Sequence, residues 1–217
     1  MDAAVDLFWS FRSPYSYLAV PGAMRLESDF KVKVRFRPVL PLAVRDPSFF
    51  SPDNLKRAKY IRLDWPRRAE MLGVPHAWPS PDPIVQDMQT YKIAAEQPYI
   101  YRLTYLGVEA ERRGQGLAFA REVSSLIFGG TRDWNLGRHL AQAAQRAGLD
   151  LASMDAAIAD PASHRAAVEE SQDALAKSAH WGVPTFVFEG EPFFGEDRID
   201  TLRWRLGKQG LQRTPLD

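Results

Sequence analysis

Strand-forming sequence occurs only near the two ends of this 217-residue chain, and that separation restricts the fold more than any other feature. At the front, Val5-Asp6-Leu7-Phe8-Trp9 is β-branched and aromatic and stops at a Ser/Pro cluster, which marks a strand. Residues 32–40 (Val-Lys-Val-Arg-Phe-Arg-Pro-Val-Leu) alternate apolar and basic side chains, the pattern of a half-exposed strand. Between them Ser13-Pro14 predicts a helix start, because proline at the first helical position gives up no hydrogen bond that the helix needs. Pro21-Gly22 predicts an early interruption of that helix. Strand character returns at Pro184-Thr185-Phe186-Val187-Phe188, with Glu189-Gly190-Glu191 as a hairpin turn and Pro192-Phe193-Phe194 as a second short strand. A helix over Asp197 to Leu206 closes the pattern, with Asp197 as its predicted N-cap and Asp200 three residues on.

From about Asp53 the apolar period becomes helical and stays so for more than a hundred residues. Leu55, Ala58, Ile61 and Leu63 begin the first of these helices. Pro-rich sequence from Val74 to Pro83 and Gly129-Gly130 punctuate the block, Gly148 ends a periodic stretch over Leu136 to Ala147, and another helix starts near Pro161. Neither β-containing end can bury its faces alone. The simplest packing places both in one sheet with the helical block inserted between them. Strand–helix–strand followed by strand–strand–helix is the thioredoxin-like order. The predicted class is therefore α/β, a thioredoxin-like domain over 1–50 plus 181–217 with an all-helical insertion over 51–180.

Charge and residue usage remove several kinds of function. A formal net charge of +1, from 28 Lys+Arg against 27 Asp+Glu, offers no field for nucleic acid or an anionic membrane. Arg67-Arg68 and Arg112-Arg113 read as solvated helix faces. The chain has no cysteine, which excludes disulfides, thiolate metal sites and Cys-x-x-Cys redox chemistry. His76, His139, His164 and His180 show no i,i+3 or i,i+4 pairing, so no metal site is expected. Phosphate-cradling and dinucleotide glycine motifs are missing too. Met1-Asp2-Ala3-Ala4 carries no basic leader, and the apolar run Val5–Trp9 is too short for a signal peptide or a membrane span; a cytoplasmic location is the expectation.

Two segments carry more. Phe11-Arg12-Ser13-Pro14-Tyr15-Ser16-Tyr17-Leu18-Ala19 follows the opening strand directly. Trp181-Gly182-Val183-Pro184-Thr185-Phe186 comes some 170 residues later, with Phe193-Phe194-Gly195-Glu196-Asp197-Arg198 just beyond. Together they resemble the 2-hydroxychromene-2-carboxylate isomerase and kappa-class glutathione transferase family, within the wider DsbA-related group, over the whole chain.

The resemblance implies a site as well as a fold. Ser13 stands where a thioredoxin-like redox protein keeps its reactive cysteine, at a helix start where N–H groups and the positive end of the macrodipole converge. A free cysteinyl thiol has a pKa of ~8.5, and a hydroxyl donor there would raise its thiolate fraction. Ser13 can therefore activate a thiol brought in by a ligand, can cap the helix, or can do both. Pro14 and Tyr15 complete that first turn. The resemblance makes Val183-Pro184 a cis peptide whose Val183 backbone pairs with the cysteinyl unit of glutathione; the alternative is a trans proline opening a strand. Glu196 or Asp197 would pair with the γ-glutamyl amino group, the alternative being helix capping by Asp197, and Arg198 would support the loop or meet a substrate carboxylate. Lys56, Arg57 and Lys59 are candidates for the glycyl end, Arg57 having the best-matching spacing before Tyr60. The asparagine of the kappa branch has no counterpart in Arg45-Asp46-Pro47-Ser48, and Asn54 is out of register. Trp9, Tyr15, Tyr17 and Trp181 are either core aromatics or walls of a pocket for a flat substrate.

The implied cofactor is glutathione and the implied activity is cis-trans isomerisation of aromatic-degradation intermediates, with a homodimer as the family habit. A kappa-like transferase or peroxidase that consumes glutathione, and a glutathione-binding module without turnover, are the alternatives.

Overall fold

In the computed structural model, which describes residues 2–46, 48, 55–87, 89–90 and 92–213, the front of the chain forms β1 (Ala3–Trp9), α1 (Pro14–Asp29) and β2 (Val32–Pro38). A short α2 (Leu42–Arg45) follows, then α3 (Leu55–Leu72), α4 (Ile100–Arg112), α5 (Gly116–Phe128), α6 (His139–Arg146), α7 (Leu151–Ala157) and α8 (Ala162–Lys177). The back end forms β3 (Thr185–Phe188), β4 (Glu191–Phe194), a 3-10 turn (Glu196–Arg198) and α9 (Ile199–Lys208). All four strands join one sheet in the order β2-β1-β3-β4. β1 runs parallel to β2, with Val5 beside Val34 and Leu7 beside Phe36, and antiparallel to β3. Both ends of the chain therefore meet at β1, the thioredoxin-like arrangement.

Alternation along β1 decides what packs where. Val5, Leu7 and Trp9 enter a large apolar cluster that runs through α1, α4, α5 and α6, whereas Phe8 faces the other way onto Val39 and Leu175. Glu189 and Gly190 both have positive φ (50° and 83°), as a two-residue β3–β4 turn that matches strand twist requires. Both sheet edges carry groups that hinder further pairing. On β2 the Val34 and Phe36 amides donate to the carboxylates of Glu27 (2.8 Å) and Glu111 (3.2 Å), while Pro192 has no N–H to offer on β4.

Several expectations are corrected. α1 continues through Pro21-Gly22 to Asp29, because Pro21 is solvent-exposed while Ala23 and Leu26 beyond it are buried. On α3, Leu63 points outward, 69% exposed, and among the described residues only Trp65 and Ala69 are buried. The helical period stops at Leu72: no helix is present among the described residues of 73–99, a stretch broken by Pro75, Pro79, Pro81, Pro83 and Pro98. Tyr17 and Trp134 tie this segment down, donating to the carbonyls of Pro75 and Pro81, each at 2.7 Å. α6 begins at His139 rather than Leu136. Asp197 is not a helix cap, since Gly195 precedes the 3-10 turn and Arg198 occupies the cap position of α9.

Gly107 on α4 is required by a close approach. A Cβ there would lie 2.8 Å from the Phe11 ring and 3.1 Å from Pro38, and Phe11 is itself wedged edge-on against Phe36 and Phe119. Gly107→Ala gains ~1 kcal/mol of helix propensity but overpacks by ~1–3 kcal/mol. The expected net loss of about 1 kcal/mol would lower Tm by roughly 2–4 °C in a thermal melt.

Candidate functional site

Two chain ends that are remote in sequence meet at one hydroxyl. Ser13 has extended backbone angles (φ −90°, ψ 115°) and caps α1, its Oγ accepting from the Ser16 N–H at 3.1 Å. The same Oγ donates its proton to the Val183 carbonyl at 3.2 Å, across 170 residues. Helix capping and contact with the second motif therefore coexist at Ser13. The Val183–Pro184 peptide is cis. Thr185 Oγ1 donates to the Gly182 carbonyl (2.8 Å) and the Gly195 N–H to the Pro184 carbonyl (2.9 Å), so this segment is held from both sides. Gly195 has φ of +104°, and a Cβ there would sit 2.6 Å from the Asp197 carboxylate.

α3 supplies one side of the site. Tyr15, in the first turn of α1, donates to Asp64 at 2.7 Å, and Tyr60 (3.0 Å) and Arg67 (2.9 Å) reach the other oxygen of that carboxylate. Burial, then the hydrogen bond to Asp64 and its charge, raise the Tyr15 pKa above the usual phenol range. The Tyr15 hydroxyl proton is committed to Asp64. Burial pushes Asp64 up, but the hydrogen bonds from Tyr15, Arg67 and Tyr60 outweigh it and hold the carboxyl below its ordinary pKa.

One turn further along α3, Arg68 grips Glu196. Its Nε donates to Oε1 at 3.1 Å and its Nη2 reaches both oxygens, Oε2 at 2.9 Å. The Glu196 side chain is 5% exposed. Its carboxylate is thereby committed, which leaves Asp197, exposed and 3.1 Å from Arg198, as the acid that faces solvent at this turn. Arg198 is itself exposed beside it.

The segment before the cis peptide is aromatic. His180 stacks on Phe194 with 4.0 Å between ring centres and on Trp181 at 5.3 Å, and the Arg57 guanidinium lies 5.4 Å from the Trp181 ring. Burial lowers the His180 pKa, and its Nδ1 accepts from the Gly182 N–H at 3.0 Å. Arg45 reaches across from α2, donating to the carbonyls of Leu40 (2.8 Å) and Trp181 (2.9 Å).

Ser13, Pro14, Tyr15, Val183, Pro184 and the Glu196–Arg198 turn are thus joined by direct contacts, and Arg57 reaches the same segment through Trp181. Trp9 and Tyr17 are core: Trp9 is fully buried, and Tyr17 stacks on Phe128 (5.7 Å, 14°). Asn54 lies outside the described residues. Sequence reasoning missed Asp64, whose link to Tyr15 spans 49 residues although Tyr60 and Arg67 reach it from its own helix. It misread Arg68 as part of a solvated helix face, because the partner that takes it, Glu196, is 128 residues away. No helix among the described residues is long and apolar enough to cross a membrane.

Residues 4–207 match the family model of the DSBA-like thioredoxin domain. The chain is 23% identical to 2-hydroxychromene-2-carboxylate isomerase of Pseudomonas putida over 216 residues, covering 98% of each protein. It is also 23% identical to glutathione S-transferase kappa 1 of Rattus norvegicus, covering 97% of this chain and 94% of that protein. Among solved structures, a 2-hydroxychromene-2-carboxylate isomerase superposes with a TM-score of 0.72 at 22% identity, over 95% of this chain and 96% of that one.

Proposed function

Because this chain belongs to the DSBA-like thioredoxin domain family, we propose that it is a glutathione-dependent cis-trans isomerase of the 2-hydroxychromene-2-carboxylate isomerase type, acting on small conjugated aromatic-degradation intermediates. The observation that carries the reading is the Ser13 hydroxyl, suspended between a helix N-terminus and the carbonyl before a cis proline. A chain with no cysteine has no thiol for disulfide exchange of its own. The same position instead offers a donor to a thiol that arrives with a ligand. Full-length similarity to proteins named as an isomerase and as a glutathione transferase supports the same reading.

The residues fit glutathione chemically. Val183 presents its carbonyl to the cysteinyl N–H, in the manner of an added β-strand. Asp197 is the exposed acid for the γ-glutamyl ammonium, with Arg198 as its support. Arg57 is the cation for the glycyl carboxylate, and Pro14 and Tyr15 wall the first turn of α1. When bound, glutathione supplies a thiolate that adds reversibly to a conjugated bond and permits rotation about it. Ser13 holds its proton toward the sulfur, and the first turn of α1 adds the field of its free N–H groups. In this reading the thioredoxin-like part is 1–50 plus 181–217, with 51–180 inserted, in a cytoplasmic homodimer.

The test is a turnover assay with hydroxychromene-carboxylate and hydroxybenzylidenepyruvate substrates at catalytic glutathione, with free thiol counted throughout. Isomerisation with the thiol count constant is the expected result. Loss of one thiol per product would make the protein a kappa-like transferase instead. Absence of both binding and turnover would overturn the proposal.

A further inference from the structure

The Arg68–Glu196 pair lies outside the contacts assigned above to the ligand, yet it sits two links from the Val183 carbonyl. Glu196 follows Gly195 directly, and the Gly195 N–H donates to the Pro184 carbonyl at 2.9 Å. Pro184 is joined to Val183, whose carbonyl takes the Ser13 proton at 3.2 Å. A pull on the Glu196 carboxylate is thus a pull on the strand edge that faces Ser13. Arg68 holds that carboxylate with a planar fork, the arrangement that fixes direction as well as distance. With Trp65 and Ala69 the only buried residues among those described on α3, polar links of this kind set where the helix meets the site.

We propose that Arg68 is a positioning residue for the glutathione site: through Glu196 and Gly195 it fixes the cis-proline segment, and with it the Val183 carbonyl, at the distance a ligand backbone needs. The proposal rests on the glutathione reading above. Arg68 itself touches no ligand. Removing it leaves a buried carboxylate without a counter-charge, and Glu196 then turns toward solvent and carries Gly195 with it. Ser13 and the first turn of α1 hold their own geometry through the Ser16 cap, so the two halves of the site respond differently.

The experiment compares wild type with Arg68→Met, Arg68→Lys, Glu196→Gln and the Arg68→Met/Glu196→Gln double variant. Glutathione Kd comes from calorimetry and the bound thiol's pKa from the ultraviolet thiolate band at saturation. Arg205→Ala serves as control, since it breaks a fork of the same geometry but greater exposure, to Glu191 (2.7 and 2.9 Å), on the far end of β4. The expected result is a Kd raised at least tenfold in Arg68→Met, an intermediate value in Arg68→Lys, and a double variant no weaker than Arg68→Met. At saturation the ligand N–H again occupies the Val183 carbonyl, so the bound thiol's pKa stays as in wild type, and Arg205→Ala changes neither reading. If Arg68→Met fails to fold, Arg68→Lys and Glu196→Gln carry the comparison. An unchanged Kd in the folded Arg68 variants, or a Kd that simply tracks Tm in Arg205→Ala as well, overturns the positioning role and leaves the glutathione reading intact. A wild-type protein that binds no glutathione overturns both.

Discussion

Ser13→Ala is expected to raise the thiol pKa of bound glutathione by about one to two units, toward its solution value of ~8.5, and to lower kcat/KM by roughly 10- to 100-fold. The magnitude follows from the bond that is lost. A hydrogen bond to a charged partner contributes about 1.5–3 kcal/mol, which is about one to two pKa units at 1.36 kcal/mol each. The same energy removed from a transition state that still carries charge on sulfur gives the stated loss of rate. Ser13 also caps α1, so alanine will cost about 1 kcal/mol of stability and a Tm drop of roughly 2–4 °C. Ser13→Gly separates the two roles. Glycine at an N-cap costs only a few tenths of a kcal/mol, yet it removes the hydroxyl completely. Thiol titrations of all three proteins at saturating glutathione should therefore show alanine and glycine alike in pKa and different in Tm. If wild type and both variants hold the bound thiol at the same pKa, Ser13 is a cap and nothing more.

How much of this was legible in the sequence depended on whether the signal was local. β2 was readable because each of Val32, Val34 and Phe36 faces the core while Lys33 and Arg35 face water, and that alternation needs no distant partner. The start of α1 was readable for the same reason: Ser13 and Pro14 satisfy or dispense with orphan N–H groups within one turn. The α3 faces were misread at Leu63, because an exposed leucine keeps the helical period while the packing is done by Trp65 and Ala69. The carboxylates of the site were the least legible. Glu196 and Asp197 are equivalent as sequence, and only the arrival of Arg68 from 128 residues away withdraws one and leaves the other to solvent. Long-range pairing of charged side chains leaves no periodicity to read, so the site could be located from its motifs but its division of labour could not.

That division includes a conflict at Ser13, and it leads to the second large effect. A serine hydroxyl has one proton to give, and Ser13 gives it to the Val183 carbonyl. Ser13 can turn that proton toward a ligand's sulfur without loss only if something else donates to Val183. The N–H of the γ-glutamyl–cysteinyl amide is such a donor; a thiolate by itself has none. Glutathione methylated at that amide nitrogen keeps its charges and its sulfur but leaves Ser13 to choose between the carbonyl and the thiolate. One of these two part-buried polar groups then goes without its partner. Ser13 keeps its bond to the Val183 carbonyl, and the loss of ~1–3 kcal/mol, roughly 5- to 150-fold, falls on thiolate stabilisation. The expected outcome is that the methylated tripeptide, even at saturation, keeps a thiol pKa close to its solution value on wild type, and that Ser13→Ala changes that value little. Unmodified glutathione on wild type should alone show the depressed pKa. A methylated tripeptide whose thiol is depressed as far as that of glutathione would mean that Ser13 was never held by Val183 in the working site, and that the helix N-terminus, not an exchange of hydrogen-bond partners, activates the sulfur.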